Sequence, residues 1–143
     1  MLEINTIKHG IAISKELGIA YDPSIHTVLS RVNSQGELMG GFLFTDYTGK
    51  SITVHMQGFL PMWMSRSMLW VLFDYPFIQL GVKKLLAPIS SGNFVTLSIA
   101  YRLGFHMAAC VADVYKDGDL VLLETTSSQC RWMKRPSPIK RAA

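Results

Sequence analysis

Three runs rich in apolar residues, 25–32, 37–46 and 51–59, follow one another with only short polar breaks between them. In the last, Ile52, Val54 and Met56 alternate with Thr53, His55 and Gln57, the period of two that a strand with one buried face requires. Asn33-Ser34-Gln35-Gly36 divides the first two runs and Thr48-Gly49 the last two, and both are turn chemistry. The pattern therefore predicts a three-stranded antiparallel meander. Upstream, residues 11–17 read as a short helix stopped by Gly18, and Tyr21-Asp22-Pro23-Ser24 as a turn.

The periodicity then changes. From Ser65 or Ser67 onward, Met68, Leu69, Leu72 and Phe73 fall on one helical face, and Pro76 predicts a kink or a restart because it lacks an N–H and crowds the carbonyl of Leu72. Gly81 closes this region and residues 83–90 read as the next strand. A second helix runs from Asn93, an N-cap, to Gly104, whose freedom at positive φ ends helices, with Phe94, Leu97 and Tyr101 at helical spacing and predicted to pack inward. Residues 107–116 and 119–129 form a last hairpin around Lys116-Asp117-Gly118-Asp119. The order is meander, helix, strand, helix, hairpin, which is neither a doubly wound parallel sheet nor an all-β sandwich.

Composition agrees with a single folded domain. The chain has 143 residues, 49% of them hydrophobic, with three Trp, seven Phe and five Tyr to fill a core. Its longest unbroken apolar run, residues 68–73, is far below the ~20 residues of a membrane span, and the polar start at Glu3, Asn5, Lys8 and His9 is not a signal peptide. The expected setting is cytoplasmic, with no membrane partner. The domain is placed at 1–132, followed by a basic, Pro-containing tail at 133–143 that carries much of the net charge of +4. Apart from Trp132 this end has no interleaved aromatic residues, so it does not point to specific nucleic-acid binding.

Two cysteines make no disulfide framework and lack C-x-x-C spacing. A tight hairpin around Asp117-Gly118 would set Cys110 opposite Thr125 and Cys130 opposite Phe105, too far apart along the ladder to bridge. Both are expected to be buried. The four histidines show no metal-ligand spacing, and no P-loop or Gly-x-Ser-x-Gly elbow occurs, so no metal is expected. Asp113, Asp117 and Asp119 flank a turn, where they are solvated or attract a cationic substrate.

The stretch Asn93 to Phe105, after the apolar strand at 84–89, resembles one end of the GCN5-related N-acetyltransferase (GNAT) fold, although the same pattern also fits a general αβ unit. The element order extends the resemblance over residues 25–132, with a shortened start. The Asp117-Gly118-Asp119 turn and the closing Arg131-Trp132 resemble the ribosomal-protein N-acetyltransferase branch, and the compact size resembles phage-encoded members. The resemblance implies a mixed α+β fold of three layers: a central, mostly antiparallel sheet of six to seven strands with helices on both faces.

It also implies acetyl-CoA as cofactor and a primary amine, on a small molecule or a protein, as acceptor. Acetyl-CoA lies in that family between the fourth and fifth strands, here 51–59 and 83–90, which puts Met56, Gln57 and Gly58 beside the pantetheine arm. The family cradles pyrophosphate on a Gly-rich helix start; residues 60–68 contain no glycine and offer Ser65, Arg66 and Ser67 instead. Asn93 matches a family Asn near the cofactor, though capping alone explains it. His55 is the candidate base, beside the reading of a structural strand histidine. The family's acid Tyr is replaced by Ala100, which leaves Ser98 as a weak substitute donor. These departures leave a second reading open: a GNAT-fold interaction or virion-associated protein without catalysis. Met62, Trp63 and Met64 either fold over the cleft or form a patch suited to a homodimer.

Overall fold

The computed structural model of the chain describes residues 1–134. Seven strands form one sheet in the order β1-β2-β3-β4-β5-β7-β6, with β1 Leu2–Ile4, β2 Thr27–Val32, β3 Leu38–Thr45, β4 Ser51–Gly58, β5 Lys84–Ser90, β6 His106–Tyr115 and β7 Gly118–Thr126. Three helices accompany them: α1 Ile7–Leu17, α2 Arg66–Phe73 and α3 Phe94–Leu103. All neighbouring strands run antiparallel except β4 and β5. The expected meander is β2-β3-β4, and the α+β fold with helices on both faces is the one observed.

Alternation along the strands sorts the two faces. Leu43 and Val28 pack with Ile13 of α1 on one side. Phe42, Phe44, Val54 and Met56 point to the other, where they join Met68, Leu72 and Phe73 of α2 and Ala100 of α3 in the main core. Burying each of these large side chains is worth about 1.5–3 kcal/mol, so the α2–α3 face carries most of the hydrophobic stabilisation.

The chain start holds more structure than its sequence suggests. β1 pairs with β2, and α1 begins at Ile7 rather than residue 11, because His9 is buried with Nδ1 2.7 Å from Ser30 Oγ. At the other end, Trp132 and Met133 pack against the core, and Trp132 Nε1 donates to the Leu103 carbonyl at 2.8 Å. The remaining tail residues, 135–143, lie outside the described part.

At Pro76 the helix restarts, one of the two expected outcomes: α2 ends at Phe73 and a π-helical turn runs over Asp74–Gln79 with Pro76 in its first turn and Leu80 N donating to Tyr75 O at 3.0 Å. Two expectations are corrected. In α3 the buried face is Leu97, Ala100 and Leu103, whereas Phe94 is 77% and Tyr101 47% exposed. Cys110 lies opposite Val121 and is exposed; Cys130 alone is buried. The register at Cys110 moves because residues 112–114 bulge against Asp119, whose Oδ1 accepts from Asp113 N at 2.9 Å while Asp113 adopts φ 60°.

Candidate functional site

The sheet opens where its one parallel pair gives out. β4 and β5 are in register only at Ser51–Lys84, Ile52–Leu85 and Thr53–Leu86. Beyond them the strands diverge, and from Val54 onward β4 has a ladder partner only in β3. A strand edge exposed in this way offers free peptide groups to an extended ligand.

The gap opens to both faces. On the α1 side is a cleft of about 460 Å³ bordered by Glu16, His55, Pro88, Ser90, Tyr115 and Asp117. On the α2–α3 side is one of about 440 Å³ bordered by Gly58, Phe59, Trp63, Val95 and Ile99. Met56, Gln57, Asn93 and Thr96 border both, so the split reads as one passage with two mouths.

Each wall is fixed by a local device. Asn93 caps α3, its Oδ1 accepting from Thr96 N at 3.2 Å, and this sets both residues at the waist of the passage. Gly92 N donates to Ser90 Oγ, which donates to Asp117 Oδ1 at 2.6 Å, while Asp119 N donates to Ser91 Oγ at 2.8 Å. These bonds tie the β6–β7 turn to the loop before α3 and hold Asp117 and Tyr115 at the α1-side mouth.

His55 projects to the α1 face, on the side of its register partner Leu43. Its Nε2 lies 3.2 Å from Thr45 Oγ1. Burial pushes the imidazole below its ordinary pKa; Asp46 pulls it up and His26 pushes it further down. At neutral pH the ring is therefore neutral and holds a lone pair, the state a general base needs. Burial, then the nearby Asp117, raises the Tyr115 phenol, which keeps its proton.

The structure brings together His55, Met56, Gln57, Gly58 and Asn93. It does not bring the phosphate-loop residues to them. Ser65 and Ser67 border a separate cavity with Met1, Leu2, Arg31 and Met68, and Arg66 is exposed. The loop is held there by Arg31, whose Nη1 donates to the Met62 carbonyl at 2.6 Å, and Ser65 Oγ already accepts from Met68 N. Ser98 is exposed and borders neither mouth. Trp63 folds inward, 5.5 Å from Phe42 ring to ring, and walls the α2–α3 mouth, whereas Met62 is 85% exposed. Sequence reasoning missed Glu16, Thr96 and Tyr115; only the acidic character of the Asp117 turn hinted at this mouth.

An extended arm such as the acetyl-pantetheine of acetyl-CoA has an unladdered strand edge to run along and room on either side, although the Trp63 indole covers Gly58 at the far end of that edge. The pyrophosphate does not fit a cradle at 65–67. Among the described residues no group of three or more His, Cys, Asp or Glu is placed to hold a metal ion, and no helix is long and apolar enough to cross a membrane.

The fold is similar to that of solved spermidine N-acetyltransferases from Vibrio cholerae. A point mutant of that enzyme matches with a TM-score of 0.73 over 94% of this chain and 98% of the other, at 11% identity. Glu-to-Gln mutant forms of the spermidine/spermine N-acetyltransferase match at 0.67 over 90% and 96%, at 12% identity. A dodecameric structure in an intermediate state matches at 0.61 over 72% and 64%, at 14% identity. No family model matches the chain, and no curated protein matches it in sequence. At these identities the likeness shows the fold, which is GNAT-like.

Proposed function

We propose that the protein transfers an acetyl group from acetyl-CoA to the primary amine of a cationic acceptor. The observation that carries this reading is the passage between β4 and β5, with a neutral His55 and two acidic residues at one mouth and a bare strand edge leading to the other. Bound acetyl-CoA supplies a thioester whose C–S bond breaks as the N–C bond forms. Met56, Gln57 and Gly58 hold the arm along β4, and Asn93 and Thr96 set the waist. Glu16 and Asp117 draw a protonated amine to the α1-side mouth. An ammonium has no lone pair with which to attack, so His55 takes its proton. Tyr115 holds a proton at the same mouth to give to the leaving CoA thiolate, and the second proton the nitrogen sheds as the amide forms passes to the resulting phenolate; Ser98 lies away from this mouth, so we assign the acid role to Tyr115.

One observation favours the second reading, a GNAT-fold interaction module, phage-borne or otherwise, without transfer. Trp63 lies over Gly40 and Gly58, at the edge where the cofactor would approach. Thermal unfolding with acetyl-CoA, CoA and S-acetylpantetheine, each up to millimolar, separates the two. A ligand of the native state raises Tm with concentration. Transfer requires acetyl-CoA to do so, and because residues 65–67 form no cradle, S-acetylpantetheine should give most of the same shift. No shift with any of the three establishes the interaction module.

A further inference from the structure

We infer that Thr45 and Asp46 form a positioning pair that fixes His55 as its Nε2–H tautomer and leaves Nδ1 as the proton acceptor. Thr45 ends β3 and is 6% exposed; its Oγ1 lies 2.8 Å from Asp46 Oδ2 and 3.2 Å from His55 Nε2. A hydroxyl has one proton to give, and an ionised carboxylate can only accept. That proton goes to Asp46. Toward His55 the same oxygen can then only accept, so Nε2 carries the hydrogen and the ring's lone pair sits on Nδ1. The opposite tautomer would aim two lone pairs at a single hydroxyl proton and leave Nε2 without a donor.

The backbone supports the arrangement. Asp46 adopts φ 55°, the left-handed region that non-glycine residues seldom enter, and this turn out of β3 accompanies the contact of its carboxylate with the preceding side chain. Other charged or titratable groups near the ring come from separate elements: His26 from the segment before β2, Glu16 from α1, and Tyr115 and Asp117 from the last hairpin. The ring's hydrogen bond goes to Thr45.

The use of Nδ1 in proton transfer rests on the transfer reading given above; the tautomer does not. The test is long-range 1H–15N NMR of the full chain with 15N-labelled histidine. The His55 Nδ1 is expected at the shift of an unprotonated imidazole nitrogen and Nε2 at that of a protonated one. Thr45→Val should abolish this preference and Thr45→Ser restore it. Asp46→Ala, a second route if Thr45→Val fails to fold, should lower the His55 titration midpoint. A protonated Nδ1 in the parent protein, or an unchanged tautomer and midpoint in these variants, overturns the inference. If transfer is also observed, Thr45→Val should lower kcat roughly tenfold with the acceptor KM little changed, and Thr45→Ser should recover it. If no transfer occurs, the spectrum still decides the tautomer while the transfer reading fails by itself.

Discussion

Gly40 and Gly58 are register partners across β3 and β4, and the indole of Trp63 lies over the pair. A Cβ on Gly40 would stand 2.6 Å from Trp63 Cδ2 and 2.8 Å from the Gln57 carbonyl oxygen, and one on Gly58 would run into Trp63 Nε1. Both glycines are therefore the floor of an aromatic site. Gly40→Ala and Gly58→Ala should each destabilise the protein by about 1–3 kcal/mol, as overpacking does. Urea unfolding gives the loss, and a red shift of the Trp emission in the folded variants reports the displaced indole. Trp63→Ala should widen the α2–α3 mouth and tighten acetyl-CoA binding.

Asn93 holds two roles that one substitution series separates. As N-cap of α3 it is worth about 1 kcal/mol, so Asn93→Ala should lower stability by that amount and Asn93→Ser should leave it nearly intact. If Asn93 also touches the cofactor, Asn93→Ser will keep its unfolding midpoint and still lose affinity in calorimetric titration.

Acidification should weaken the fold before the carboxylates titrate. Burial depresses the pKa of both His9 and His55, so between their folded values and the unfolded value of about 6.5 the unfolded chain binds more protons than the native one. Their contribution is present above about pH 6.5 and is lost as pH falls through the folded values. Unfolding free energy should drop from pH 7 to pH 5, and His9→Gln together with His55→Gln should flatten that slope. Asp22 and Glu124, whose pKa values are lowered by Ser24 and by Lys84, act in a separate and more acidic window.

The two thiols should differ sharply in reactivity. Cys110 is exposed on β6, whereas Cys130 is 4% exposed and burial raises its pKa. A thiol reagent at pH 8 should modify Cys110 rapidly and Cys130 only on unfolding. Cys110→Ser should remove the fast phase alone.

Tyr115 and Ser98 make opposite predictions for the acid. Tyr115→Phe should slow transfer at least roughly tenfold with the melting temperature preserved, while Ser98→Ala, outside both mouths, should leave kcat unchanged. Steady-state kinetics with a diamine acceptor decides between them.

The meander was legible because the alternation at 52–57 and the Asn33–Gly36 turn are local signals. β1 was not, since three residues carry too little pattern, and the start of α1 was hidden by His9, a polar residue buried only because Ser30 meets it from another strand. The face of α3 was misread because its exposed residues, Phe94 and Tyr101, are as apolar as its buried ones. His55, Met56, Gln57, Gly58 and Asn93 could be assigned to one cleft because each sits on a regular element whose end faces the gap. Ser65 and Ser67 instead border a cavity beside Met1, Leu2 and Arg31, whose guanidinium holds the preceding loop by its Met62 carbonyl. Tyr115 depends on the bulge pinned by Asp119, a side-chain bond with no local sequence signature.

The three-pair parallel junction has a dynamic consequence. The sheet is two antiparallel blocks, β1 to β4 and β5 to β6, each built from neighbours in the chain, except that β7 inserts beside β5. Parallel pairs are slightly weaker per residue, and this seam is short. Hydrogen exchange should therefore resolve two cooperative units, with the amides of residues 51–53 and 84–86 opening ahead of those inside either block. Opening of that seam is expected to lengthen the gap between β4 and β5.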